Sequence, residues 1–206
     1  MNLNTAIALQ ERDFIRAFHD PSAYPVAVQD PRQAARALSV NAGFAWDVSG
    51  KTFVRTVNGQ FKEYWAHVDF QDYRKAFLGF AKSSWSVPPQ QLTDALHVDH
   101  VVNRGFARDV GLAYVRLALL PRTINIRYGA KIEKNLSRLE KAGQRVVFMD
   151  YLCLMKVLGI LPPGSWDNYS NRRDQIATVF MSKGVAGDRG LLLQGMDGFF
   201  SLWKVL

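Results

Sequence analysis

Apolar and polar positions follow two rhythms along this chain, and the places where one gives way to the other predict its elements. Ile7, Leu9, Phe14, Ile15 and Phe18 recur near helical spacing, and Asn4 or Thr5 can cap that first helix. Asp20-Pro21 and Tyr24-Pro25 break it. Proline in the favoured first position opens a second short helix at Pro31, in "PRQAARALSV". The rhythm then shortens. "KTFVRTVNGQFKEYWAHV" predicts two strands joined at Asn58-Gly59, a strong hairpin signal. Helical spacing returns in "DFQDYRKAFLGFAKSSW", with Tyr73, Phe77 and Phe80 on one side, before Pro88-Pro89.

The second half repeats the alternation. "DALHVDHVV" predicts a strand, "NRGFARDVG" a loop with two glycines, and "AYVRLALL" a second strand. From Pro121, Ile124, Ile132, Leu136 and Leu139 form a helical stripe that Gly143 can close. A buried helix in "VVFMDYLCLMKVL", a proline turn and a further helix around "NRRDQIATVFMSKG" complete the chain. The expected fold is α+β, mostly helical with two short β-hairpins, near residues 52–66 and 97–119. Three regions are expected: 1–90, a helical and hairpin region; 91–145, the second hairpin with its helix; and 146–206, helices packed on that core.

Composition narrows the class. At 206 residues, 48% apolar and 21% charged, the chain can bury ~70% of its unfolded surface and needs no staples. A single cysteine, Cys153, rules out an intramolecular disulfide and reads as a buried thiol on an apolar stripe. The N-terminus carries no secretory pattern, and the most apolar run, Val146 to Leu161, is shorter than the ~20 residues a bilayer requires. A soluble, cytoplasmic protein without a membrane partner is expected.

Charge is concentrated. Residues 101–145 hold ten basic side chains against three acidic ones, which is +7 of the net +8. Phosphate backbones favour such a cluster, because each neutralised phosphate releases condensed counterions. A solvated helix face would show the same letters. The cluster directly follows "LHVDHVVNRGF", where Asp99 and His100 stand in an apolar strand that has no structural need of them. Strand neighbours point to opposite faces unless the strand ends there, and Asn103-Arg104-Gly105 suggests that it does. A hairpin packed on a helix could then gather Asp99, His100 and Asn125. A neutral imidazole can take a proton from water near pH 7, and carboxylate and amide oxygens suit a hard divalent cation. These residue types fit metal-assisted phosphodiester hydrolysis.

"VDHVVNRGF…YVRLALLPRTINIRYGAKIEK" resembles the HNH family of endonucleases, also called His-Me finger or ββα-metal nucleases, over about residues 96–134. The resemblance implies that the second hairpin and its helix form a ββα-metal element, with His100 as general base and Asp99 and Asn125 as metal ligands. It implies a divalent metal, Mg²⁺ first, with Zn²⁺, Ni²⁺ or Mn²⁺ as alternatives. Nucleic acid is the implied partner, DNA before RNA, contacted by Arg104, Arg122, Arg127, Lys131 and Lys134. At the family's central Asn this chain carries Arg116, which either holds the phosphate or leaves the bracing role to Asn103. A binding protein that keeps the element without its chemistry is the alternative. So is a delivered antibacterial nuclease toxin, with an inhibitor or immunity protein as partner. His97 shares a strand face with Asp99 and reads as structural or solvent-facing, and His100, at a strand end, is expected to carry little packing.

Overall fold

A computed structural model describes residues 3–19, 24–36, 43–46, 49–57, 61–87, 95–129 and 145–204 of the chain. In chain order its elements are α1 (Leu3–His19), β1 (Pro25–Val28), α2 (Pro31–Arg36), β2 (Gly43–Trp46), β3 (Thr52–Val57), β4 (Phe61–His67) and α3 (Tyr73–Trp85). Then come β5 (Leu96–His100), α4 (Arg104–Asp109), β6 (Tyr114–Pro121), α5 (Arg122–Gly129), β7 (Val146–Phe148), α6 (Tyr151–Val157), α7 (Trp166–Ser182) and α8 (Arg189–Phe200). A 3₁₀ turn at Ser201–Lys204 follows. The fold is mixed α+β, built on an antiparallel sheet.

Strand β6 organises that sheet. Tyr114 and Val115 lie between β4 and β1 and Arg116 pairs with Trp65 of β4, whereas Leu117 to Pro121 pair with β5, from His100 opposite Leu117 to Leu96 opposite Pro121. The full order is β2-β3-β4-β6-β1-β7, with β5 beside the far half of β6. The sheet therefore draws strands from all three of the regions expected from sequence. Alternation along β6 feeds two cores. Leu117 and Leu119 join Val98 under the aromatic face of α3, formed by Tyr73, Phe77, Phe80 and Trp85. Ala118 and Leu120 join the larger core with α5, α6, α7 and α8.

Several expectations meet their elements. The first hairpin runs in register from Thr52 opposite Ala66 to Val57 opposite Phe61, although Asn58-Gly59 falls outside the described residues. The second hairpin is present as β5 and β6, and its long connection folds into α4 rather than remaining a loop. Asn103 caps α4 by accepting from the Phe106 amide at 3.0 Å. "VVFMDYLCLMKVL" is not one helix: Val146 to Phe148 extend β1 as an edge strand. The helix starts only after Asp150, which accepts from Cys153 N at 2.7 Å. Cys153 is buried and free. Ile132, Leu136, Leu139 and Gly143 fall outside the described residues.

Helix α1 departs from its predicted stripe for an electrostatic reason. It buries Gln10 and Asp13 alongside Ala6, Phe14 and Ala17. The Gln10 amide acts as a surrogate strand, donating to Leu119 O at 3.0 Å and accepting from Leu119 N at 2.8 Å. Asp13 pairs with Arg116, whose other amino group lies 3.3 Å from Glu63. Glu63 in turn takes two bonds from Arg55, at 2.5 and 2.7 Å, and one from the Trp65 indole at 3.0 Å. Arg55 also donates to Ala34 O at 2.9 Å, and Arg116 lies over the Phe14 ring at 3.8 Å. All four ionic side chains are buried, and two positive charges meet two negative ones. Burial alone would raise the Glu63 carboxyl, but Arg116 and Arg55 outweigh it and hold its pKa below the ordinary 4.5.

Replacing Arg116 with Met should leave Asp13 and Glu63 facing each other in the interior and cost about 3–5 kcal/mol of stability. Urea denaturation would show it, and a loss below about 1 kcal/mol would rule the cluster out. Glu63 contributes stability above its unfolded pKa and loses it as pH falls through its lower folded value. The Glu63→Gln protein should therefore show a shallower loss of stability below pH 4.5 than wild type.

Candidate functional site

The β5–β6 hairpin carries the candidate site on both faces, and strand geometry divides the residues between them. Asp99 and His100 are consecutive in a strand whose pairing continues past His100 through Val101 N to Arg116 O at 2.9 Å. β5 ends at His100, but the pair keeps strand geometry and its side chains meet different helices, so the expectation that Asp99, His100 and Asn125 gather on one face is corrected.

His100 faces α3. It is 2% exposed, and its ring packs against Tyr73 with centroids 4.5 Å apart. Arg74 and Arg104 lie over the same tyrosine ring at 5.4 and 5.8 Å. Arg74 reaches Val98 O at 3.4 Å, and Arg104 reaches Gln71 Oε1 at 3.5 Å. Among the described residues, His100 Nε2 meets no hydrogen-bond partner. Burial lowers its pKa from 6.5 to about 3. Asp99 opposes that shift, while Arg104, Lys156 and Arg74 add to it. The imidazole is therefore neutral at pH 7 and carries substantial packing, contrary to the expectation for a strand end.

The opposite face meets α5 and α6. The Asn125 side-chain amide lies 3.3 Å from His97 Nδ1, so the helix residue expected as a metal ligand contacts His97 rather than His100. Asp99, 22% exposed on the same strand face, pairs with the Lys156 ammonium at 3.0 Å. Lys156 is 1% exposed and also donates to His100 O at 2.7 Å. Among the described residues, no group of three or more His, Cys, Asp and Glu side chains is arranged to hold a metal ion.

The remaining expected residues separate clearly. Arg116 is not at this site: it is sealed in the ion cluster with Asp13 and Glu63, where no phosphate can reach it. Asn103 serves as the cap of α4. Arg122 and Arg127 are exposed on α5, whose Ile124 and Tyr128 are buried, with Tyr128 donating to Ile160 O at 2.9 Å. Lys131 and Lys134 lie outside the described residues. Sequence reasoning did not mark Tyr73, Arg74 or Lys156 as residues of the site. A lone lysine inside the apolar run "YLCLMKVL" was a usable signal, because a buried ammonium requires a partner. Nothing local tied Tyr73 and Arg74 to the strand, which lies more than twenty residues further on.

The neutral state of His100 has a measurable consequence. Its folded pKa is below the unfolded value, so the unfolded chain binds more protons between about pH 6.5 and 3, and stability falls as pH drops through that window. Proton-detected imidazole ¹⁵N shifts should show no His100 protonation step above pH 4. A step near pH 6 would mean that the ring is not buried as described. Comparison of the chain with models of known families, with curated proteins and with solved structures finds no match.

Proposed function

We propose that this chain is a metal-dependent endonuclease that hydrolyses phosphodiester bonds at the β5–β6–α5 element, with DNA as the expected substrate. One observation carries the proposal: a neutral imidazole, His100, with Nε2 unpartnered among the described residues and two guanidinium groups beside it. A general base must be deprotonated at working pH, as burial keeps His100, and Nε2 has no hydrogen-bond partner among the described residues that would compete for a water proton. Arg104 and Arg74 lie over the Tyr73 ring that packs on His100, where a guanidinium could hold a phosphate oxygen.

In this reaction the water proton passes to His100 Nε2 as the water oxygen bonds to phosphorus and the P–O bond to the leaving nucleotide breaks. His100 is closed to solvent, so substrate entry must displace part of the cover that Tyr73 provides. Exposed Arg122 and Arg127 on α5 would contact the backbone of the nucleic acid and add affinity without sequence information. Asp99 and Asn125 offer carboxylate and amide oxygens, which suit a hard cation such as Mg²⁺, and the nearby His97 nitrogen would favour a softer one such as Zn²⁺ or Ni²⁺. Two such ligands make a weak site that fits the group in chemical kind. When bound, the cation would supply positive charge to the phosphate and the departing oxyanion.

A second reading is favoured by one contact. Lys156 already neutralises Asp99, which suits a protein that binds nucleic acid through this element without cutting it. Plasmid nicking by purified protein with Mg²⁺ separates the two: cleavage that EDTA abolishes supports the enzyme, and binding without cleavage supports the alternative. Within the first reading, His100→Gln should lower the cleavage rate by at least ~10²-fold in protein that remains folded by circular dichroism. Retained cleavage would eliminate His100 as the base.

Replacing Arg122 and Arg127 by Ala should weaken binding and flatten its salt dependence, by about 0.9 in the log-log slope for each phosphate that is no longer neutralised. An unchanged slope would mean that this face of α5 meets only solvent.

A further inference from the structure

We propose that Lys156 is the resident counter-ion of Asp99 and competes with a divalent cation for that carboxylate. The inference rests on the metal-dependent reading above and names a residue that regulates the same site. Helix α6 is apolar and buried along most of its length: Leu152, Cys153, Leu154, Met155 and Val157 all lie in the core. Lys156 is the only charged side chain within it, and it is 1% exposed. An ammonium in such surroundings is costly unless oxygen atoms replace its water.

The oxygens that do so come from both members of the acid-histidine pair. Lys156 Nζ lies 2.7 Å from His100 O and 3.0 Å from Asp99 Oδ2. One compact cation thus ties the backbone of the proposed base to the side chain of the proposed ligand. A carboxylate and a carbonyl oxygen are also what a hard divalent cation binds. The ammonium and the metal would therefore require the same carboxylate, and a second positive charge beside Nζ would be repelled. Asn125 and His97 stand on the same side of the hairpin and add dipoles, but no formal negative charge. Asp99 is left as the anion that the two cations contest.

The wild-type protein should then bind metal weakly in the absence of nucleic acid. Extra negative charge from a phosphodiester would be needed before a divalent ion could hold Asp99 against Lys156. Removing the ammonium should release the carboxylate.

Mn²⁺ binding followed by electron paramagnetic resonance, without nucleic acid, tests this without reference to cleavage. Lys156→Met and Lys156→Gln should each bind Mn²⁺ at least about tenfold more tightly than wild type, a modest change for a unit charge removed a few ångströms away. Adding Asp99→Asn to either variant should abolish the gain. The glutamine variant keeps a donor for His100 O and guards against a methionine variant that folds poorly. In wild type, the Lys156 ¹⁵Nζ signal should also shift as Mg²⁺ approaches saturation. Equal Mn²⁺ affinity in wild type and variants, or a gain that survives Asp99→Asn, overturns the proposal. If that happens while wild-type cleavage is still lost in EDTA, the hydrolase reading stands alone. Absence of Mn²⁺ binding in every protein overturns the inference and the Asp99 metal site together.

Discussion

The four-charge cluster of Asp13, Arg55, Glu63 and Arg116 is the constraint on which the architecture depends. It joins α1, β3, β4 and β6 at a point closed to water, where any unmatched charge would cost several kcal/mol. Arg116 sits at the division of β6, with β4 and β1 on its N-terminal side and β5 beyond it. Fixing that residue fixes the register of the strand that carries the hairpin. Gln10 completes the arrangement by bonding the Leu119 backbone, so a single helix holds both halves of β6.

From that anchor the two faces of the hairpin acquire different chemistry. The α3 face buries His100 beside aromatic carbon and near two guanidinium groups, which disfavour the imidazolium and leave the ring neutral. The other face places a carboxylate, an amide, an imidazole and a buried ammonium along α5 and α6. Low dielectric makes each charge count for more there than it would in water, so the Lys156 ion pair matters to whatever approaches Asp99. Basic residues exposed on α5 extend the positive field outward from the same hairpin.

Local pattern determined a good deal of this molecule. Alternation in "TFVRTV" and "FKEYWAH", the helical stripe of Tyr73, Phe77 and Phe80, and the strand-to-strand step around "LHVDH" and "YVRLALLP" all arise from short-range spacing, and the structure carries them. Short strands such as "PVAV" and "VVF" were not legible, since an apolar run of three or four residues fits a helix or a turn equally well. Helix α8 was not legible either, although Asp188 caps it by accepting from Leu191 N.

What tertiary structure alone decided is which residues meet. The sequence singled out Asp99, His100 and Asn125 as chemically unusual, but adjacency in a strand sends Asp99 and His100 to opposite faces, and only the packing of α3, α5 and α6 assigns their partners. The same limit explains Arg116. From its neighbours it reads as one more member of a basic cluster, whereas its partners Asp13 and Glu63 lie 103 and 53 positions away and turn it into an interior ion. Charge in a sequence has no address until folding sets its distance from other charges and from water, and Coulomb energy depends on both.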